Sequence, residues 1–279
     1  MMLKDGWVMK KRKWVALVDE AQKERMVDFS IENPAASKLK MLPVIEELLK
    51  NPIVKRKTTS YCHYGAPFRK NTAFITSLPF DPPKPCPSMP CRSLASGGEH
   101  LEGVQGQKLQ AKYSIPRDLV QELVTAFMRK YPQAKRFLII DCFSGFGSIK
   151  NAVESMKPSR PVCVFSNDKV ARKGVDITLD MSSDVNLHLL FPFAVLSTYG
   201  DNEQERELIT KSESVFEYLK KTSTAVLFHA SIPCQTYSTA SGSCHRASGS
   251  AEPLSPTAQR HDRITEHICG WIQANVLAI

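Results

Sequence analysis

The spacing of apolar positions changes several times along the chain, and each change marks an element. Trp7, Trp14, Leu17, Val18 and Ala21 recur at roughly helical spacing among basic residues, predicting a helix over 7–24. The apolar run 26–31 predicts a strand directly after it. A helix over 39–49 follows, then strands around 58–64 and 73–77, separated by a Gly-Ala-Pro turn. Between 79 and 106 the chain is rich in Pro, Ser, Gly and Cys, which breaks both periodicities and predicts an irregular insert. The pattern then resumes: a helix over 116–129 with Ser114 as its cap, a strand 137–140, a helix 148–156, a strand 162–166 and a weaker strand near 175–179. A charged helix over 202–221, a strand 225–229, a polar loop 236–256, a helix 261–272 and an apolar end 275–279 complete the chain. Strands alternating with helices imply an α/β fold, a Rossmann-like sheet with helices on both faces and one small irregular insert.

Composition narrows this picture. A formal charge of +9 and a pI near 9.1 favour a polyanionic partner, because Lys and Arg release counterions when they meet phosphates. No apolar run reaches the roughly 18 residues of a membrane span, and the basic start has no apolar core of a signal peptide, so a soluble intracellular protein is expected. Eight cysteines scattered without a framework fit reduced thiols. The basic run Lys10-Lys11-Arg12-Lys13 reads as the solvated face of the first helix or, alternatively, as a nuclear localisation signal or phosphate contact.

Two motifs carry chemistry. Asp141-Cys142-Phe143-Ser144-Gly145-Phe146-Gly147 follows a buried strand and opens a helix, where such a sheet holds a cofactor at the carboxyl end of a strand. Asn167-Asp168 ends the next strand, placing an acid where it can accept hydrogen bonds from ribose hydroxyls, and Asp180 is a further candidate near an adenine. Ile232-Pro233-Cys234-Gln235-Thr236-Tyr237-Ser238 follows strand 225–229, so its thiol stands at a strand's carboxyl end before a long loop.

Together these motifs resemble the cofactor and nucleophile motifs of the cytosine-5 DNA methyltransferases. The resemblance implies an S-adenosylmethionine cofactor held by Asp141, Phe143, Ser144, Gly145, Gly147, Asp168, Asp180 and Pro233, and a covalent adduct between Cys234 and carbon 6 of a flipped cytosine. The family's catalytic glutamate is matched by Glu32 in Phe29-Ser30-Ile31-Glu32-Asn33-Pro34. The segment from Tyr64 to Thr72 resembles the family's Tyr-Gly-x-Pro-Gln-x-Arg-x-Arg, and Ser114-Ile115-Pro116 resembles a late element beside the cofactor. These matches run in rotated order, so the chain looks circularly permuted: 1–78 as the family's closing catalytic part, 79–110 as a reduced target-recognition insert, and 111–279 as the cofactor and nucleophile part. The implied partner is DNA, or RNA, with no membrane, and a nuclear location in a eukaryote.

The sequence also departs from the family. Gln and both arginines become Phe68, Lys70 and Thr72, leaving Arg69 or Lys70 as the cation beside the catalytic acid. The first proline of the family's Pro-Pro-Cys is Ile232, and the short insert leaves few residues to read base edges. The alternative reading is a catalytically inactive, nucleic-acid-binding relative or fragment. Within the insert Cys86, Cys91 and His100, with Cys62-His63 before it, offer soft ligands for zinc. Their spacing is only permissive, so no metal ligand is assigned and separate free thiols are the preferred reading. Finally, helix 261–272 and the end 275–279 duplicate the approach to a Glu-Asn-Pro strand that 7–31 already provides. The expectation is that 26–31 takes the single sheet position and that 275–279 lies at an edge, disordered or paired with another molecule, in a chain excised from a tandem array or misassembled gene.

Overall fold

The computed structural model describes residues 26–86, 91, 100, 114–212, 214–237 and 245–277. The predicted helix 7–24 and its basic run lie outside them. One mixed sheet of seven strands organises everything described: β1 (Val27–Pro34), β2 (Lys55–Ser60), β3 (Asn71–Thr76), β4 (Arg136–Cys142), β5 (Val162–Asp168), β6 (Ile177–Thr178) and β7 (Thr224–Ser231). Their spatial order is β2-β3-β1-β7-β4-β5-β6. β1, β7, β4, β5 and β6 run parallel, and β3 is antiparallel to both β1 and β2. The architecture is compatible with a Rossmann-like fold.

Strand β4 shows why the sheet is covered on both faces. Its side chains alternate, Leu138 and Ile140 entering one apolar cluster and Phe137 and Ile139 the other, and all four are fully buried. On one face lie α1 (Pro43–Lys50), α4 (Asp184–Tyr199), α6 (Val215–Lys221) and α7 (Pro256–Ile272). On the other lie α2 (Arg117–Lys130) and α3 (Ser148–Met156). A seventh helix, α5 (Glu203–Lys211), has no buried residue and is capped by Asn202, whose side chain accepts from two backbone N–H groups.

Several expectations are corrected. Helix α4 was not anticipated, and the single charged helix over 202–221 is two, α5 and α6, separated around Ser212 and Ser214. Ser114 does not cap α2; Pro116 holds the cap position with no side-chain bond, and Ser114 lies outside the helix. Residues 58–64 are strand only to Ser60, after which Tyr61–Tyr64 forms a 3-10 turn. The described part of the apolar end, 275–277, is not an edge strand. Gln273–Leu277 continue α7 as one wide helical turn, with Val276 and Leu277 buried in the main cluster, so they support the core instead of competing with β1. The expectation for β1 itself is met: it occupies the inner position between β3 and β7.

Among the described residues no helix is long and apolar enough to cross a membrane.

Candidate active site

The carboxyl ends of β1, β7 and β4 meet where the chain's connections diverge to either side of β4, the position at which open α/β sheets place ligands. A cavity of about 240 Å³ opens there. Glu32 and Pro34 border it from β1, Asp141 and the turn Phe143–Phe146 from β4, and Ser231 to Gln235 from β7, with Lys70 and Ile115 closing the sides. Thus Glu32, Lys70, Asp141, Phe143, Ser144, Gly145, Pro233 and Cys234 share one cleft, although about 200 residues separate Glu32 from Cys234. Gly147, Asp168 and Asp180 do not border it: Asp168 accepts from the Gly145 N–H, and the Asp180 carboxylate is paired with Arg260.

The turn after β4 is built to bring backbone toward the cavity. Phe143, Gly145 and Gly147 all have positive φ, at 62°, 54° and 72°. For an aromatic residue this conformation costs on the order of 1–3 kcal/mol and persists only where surrounding structure enforces it. The enforcement comes from β5: Ser144 N–H donates to the Asn167 carbonyl at 3.0 Å, and Gly145 N–H donates to Asp168 Oδ2 at 2.9 Å. Gly147 caps α3, so the helix begins immediately beside the turn. Burial, with Asp168 nearby, holds the Asp141 carboxyl well above the ordinary carboxylate range.

Glu32 is 6% exposed. Its Oε1 accepts from Thr72 Oγ1 at 2.5 Å and from Tyr61 Oη at 3.3 Å. Lys70 Nζ in turn donates to Tyr61 Oη at 3.2 Å and lies 4.5 Å from the centre of its ring. Burial and the neighbouring Glu32 push the Tyr61 hydroxyl up, so it remains a donor. Beneath them His229 donates or accepts at Ser231 Oγ, 3.2 Å away, and burial lowers it from 6.5 to about 4 against the opposing pull of Glu32.

The half-buried Cys234 is carried by a loop fastened at several points. Asn33 Nδ2 donates to the Ile232 carbonyl at 3.0 Å, and Lys38 N–H to the Tyr237 carbonyl at 2.9 Å. Tyr237 N–H closes a turn onto the Cys234 carbonyl at 3.0 Å. Arg246, 1% exposed, donates to the Thr236 carbonyl at 2.9 Å, pairs with Asp262 at 2.6 Å and covers the Tyr237 ring at 4.0 Å. Tyr237 Oη donates to Asp262 at 2.8 Å. The Cys234 loop is thereby clamped to α7 on one side and, through Asn33, to β1 on the other.

Sequence reasoning did not single out Tyr61 or Arg246 as parts of this site, named Asn33 only within the Glu-Asn-Pro match, and treated Thr72 only as a departure. Thr72 stands where the resemblance has an arginine, and it holds Glu32 directly, diagonally across the β1–β3 pairing. The contact depends on the β1–β3 register, which no local sequence pattern carries. The arrangement offers a thiol, a carboxyl group with two hydroxyl donors, and a cation within one cleft, beside a backbone turn able to receive a polar ligand. No protein-family model matches the sequence, and no curated protein matches it.

Proposed function

We propose that the chain is a cytosine-5 methyltransferase acting on DNA, in which Cys234 is the nucleophile and Glu32 the acid at the ring. The observation carrying this reading is the convergence of Cys234, Glu32 and the Phe143–Gly145 turn on one cavity, from three strands far apart in sequence. The same convergence supports a circularly permuted arrangement, since the acid arrives on the first described strand and the cofactor turn on the fourth.

The turn fits an adenosine-containing cofactor. Ser144 Oγ borders the cavity, is buried, and has no hydrogen-bond partner among the described residues. A Cβ placed on Gly145 would meet nothing nearer than 3.8 Å, so the backbone there lies open to approach. Phe143, Ser144, Gly145 and Asp141 would hold S-adenosylmethionine, with Asp168 bracing the turn. Bound there, the cofactor would supply an electrophilic methyl group on a sulfonium, whose sulfur would leave as a neutral thioether.

The protein's own part divides between two groups. The target base must leave the stack, because its ring atoms cannot be reached within a duplex. Cys234 Sγ forms a bond to carbon 6 while the 5,6 double-bond electrons move to carbon 5, and Glu32 holds a proton at ring nitrogen 3. Carbon 5 then accepts the methyl group. Loss of its proton to a base and cleavage of the Sγ–carbon 6 bond restore the double bond and the thiolate. Tyr61 and Thr72 orient Glu32, and Lys70 adds positive charge at the cleft. The basic balance of the chain supplies general attraction to phosphates.

The test is DNA containing 5-fluorocytosine, in which the fluorine blocks loss of the carbon 5 substituent. A denaturant-resistant protein–DNA adduct that requires S-adenosylmethionine and disappears in Cys234→Ala is expected. Absence of the adduct in a chain that binds both cofactor and DNA sinks the proposal.

A further inference from the structure

Three cysteines lie outside the cleft in an unusual setting. Cys62, Cys86 and Cys91 are 0%, 3% and 0% exposed and form a buried cluster composed of cysteines alone, apart from the two apolar clusters that flank the sheet. Thiols buried as small hydrophobes join an apolar core. These instead face one another and the imidazole of His100, and none is in a disulfide. The four ligand atoms all lie within 4.8 Å of one another, with Cys86 Sγ 3.8 Å from His100 Nε2. Zinc–sulfur bonds of about 2.3 Å in a tetrahedron put ligand atoms about 3.7 Å apart, so little adjustment converts this cluster into a coordination shell.

We propose that Cys62, Cys86, Cys91 and His100 form a closed structural zinc site that fastens the insert after β3 to the turn after β2. Four protein ligands leave no open position for water or substrate, which makes the site structural and not catalytic. Three thiolates with one imidazole are soft donors that select zinc over magnesium or calcium. The placement has a purpose that the sequence spacing alone does not reveal. Cys62 directly follows Tyr61, the donor to Glu32, and the Cys86 N–H donates at 2.8 Å to Ser60 Oγ, which itself donates to Asn71. The ion would lock residues 60–62 to Cys86, Cys91 and His100, setting the position of the Tyr61 hydroxyl. This site is independent of the methyltransferase reading and would stand if that reading failed.

The experiment uses the full chain, expressed with zinc supplementation and purified without added metal. Elemental analysis should find one zinc per chain, released by a mercurial that blocks thiols. Replacement by cobalt(II) should give the intense visible bands of a tetrahedral ion together with thiolate charge-transfer absorption. Cys86→Ser with Cys91→Ser should lose the metal, and Cys163→Ser, remote from the cluster, should keep it. His100→Cys should also keep it and strengthen the charge-transfer absorption, which does not depend on a variant that risks misfolding. A natural chain without bound zinc, stoichiometric iron in its place, or an octahedral cobalt spectrum would each overturn the proposal.

Discussion

Cys234 and the Cys62 cluster place the same functional group in opposite surroundings. Cys234 stands half-buried at the lip of a cavity, on a loop clamped from both sides, with polar and charged residues around the opening. Cys62, Cys86 and Cys91 are sealed against one another, where only something as small as an ion can enter. Access and neighbours, more than the thiol itself, assign the role: an exposed face admits an electrophile, and a closed ring of donors admits a metal. Tyr61, which donates to Glu32 in the cleft, is followed directly by Cys62, so one peptide bond joins the two environments.

The sharpest way to break this contrast is Cys234→Ala. Methyl transfer and adduct formation should fall at least about a thousandfold, as expected on removing a nucleophile, while zinc content and cofactor binding stay unchanged. Undiminished transfer would move the nucleophile elsewhere. Next in size is Arg246→Met, which strands Asp262 beside a buried loop. A loss of about 3–5 kcal/mol in urea unfolding is expected, with activity falling and zinc retained. A change below about 1 kcal/mol would show that the clamp is not what holds the Cys234 loop.

Acid should act on the cleft through His229. Its folded pKa, about 4, lies below the unfolded value of 6.5 because burial disfavours its charged form. The unfolded chain therefore takes up the proton first: this contribution to stability is intact above pH 6.5 and is lost as pH falls toward 4. A shift of that size corresponds to about 3 kcal/mol. His261 is lowered to about 4 as well, chiefly by burial, so His229→Gln should flatten only part of the acid slope. Parallel stability curves for the two proteins between pH 4 and 6.5 would remove His229 from the account. The smallest effect is that of Thr72→Val, which keeps the shape and deletes one donor to Glu32. We expect about a tenfold drop in kcat/KM, carried by kcat, and a stability change of about 1 kcal/mol. An unchanged kcat would leave Thr72 with a packing role only.

Much of the frame was legible because its strands are continuous apolar runs. The apolar runs mark β1, β4 and β7 to within a few residues, and α3 spans 148–156 as the pattern predicts. Helix α4 escaped for a physical reason. Its residues are apolar on nearly all sides, Leu189, Phe193 and Leu196 remaining exposed, so there is no polar face to supply a period, and Pro192 inside it imitates a break. Residues 275–277 were misjudged because they continue α7 as one wide turn, off the ordinary helical period. Within the cleft, Cys234, Glu32 and the Phe143–Gly147 turn were visible as local motifs. Thr72, Tyr61 and Arg246 were not, since their partners lie on other elements and emerge only once strand register and loop docking exist. The cysteine–histidine set shows the same limit: its sequence spacing is uninformative until the β2–β3 hairpin brings Cys62 to Cys86.

The inner position of β1 has a consequence for how the molecule is made. Its antiparallel neighbour β3 leaves the ribosome soon after it, so that edge can pair at once. Its other neighbour, β7, begins only at Thr224, and the Asn33 bond that closes the cleft spans 199 residues. At about 5–20 residues per second, synthesis leaves the apolar edge carrying Val27, Phe29 and Ile31 unpaired for roughly 10–40 s. During that interval the nascent chain displays an open hydrophobic strand, which makes β1 the natural client segment for a chaperone and the first place at which hurried expression would yield aggregates.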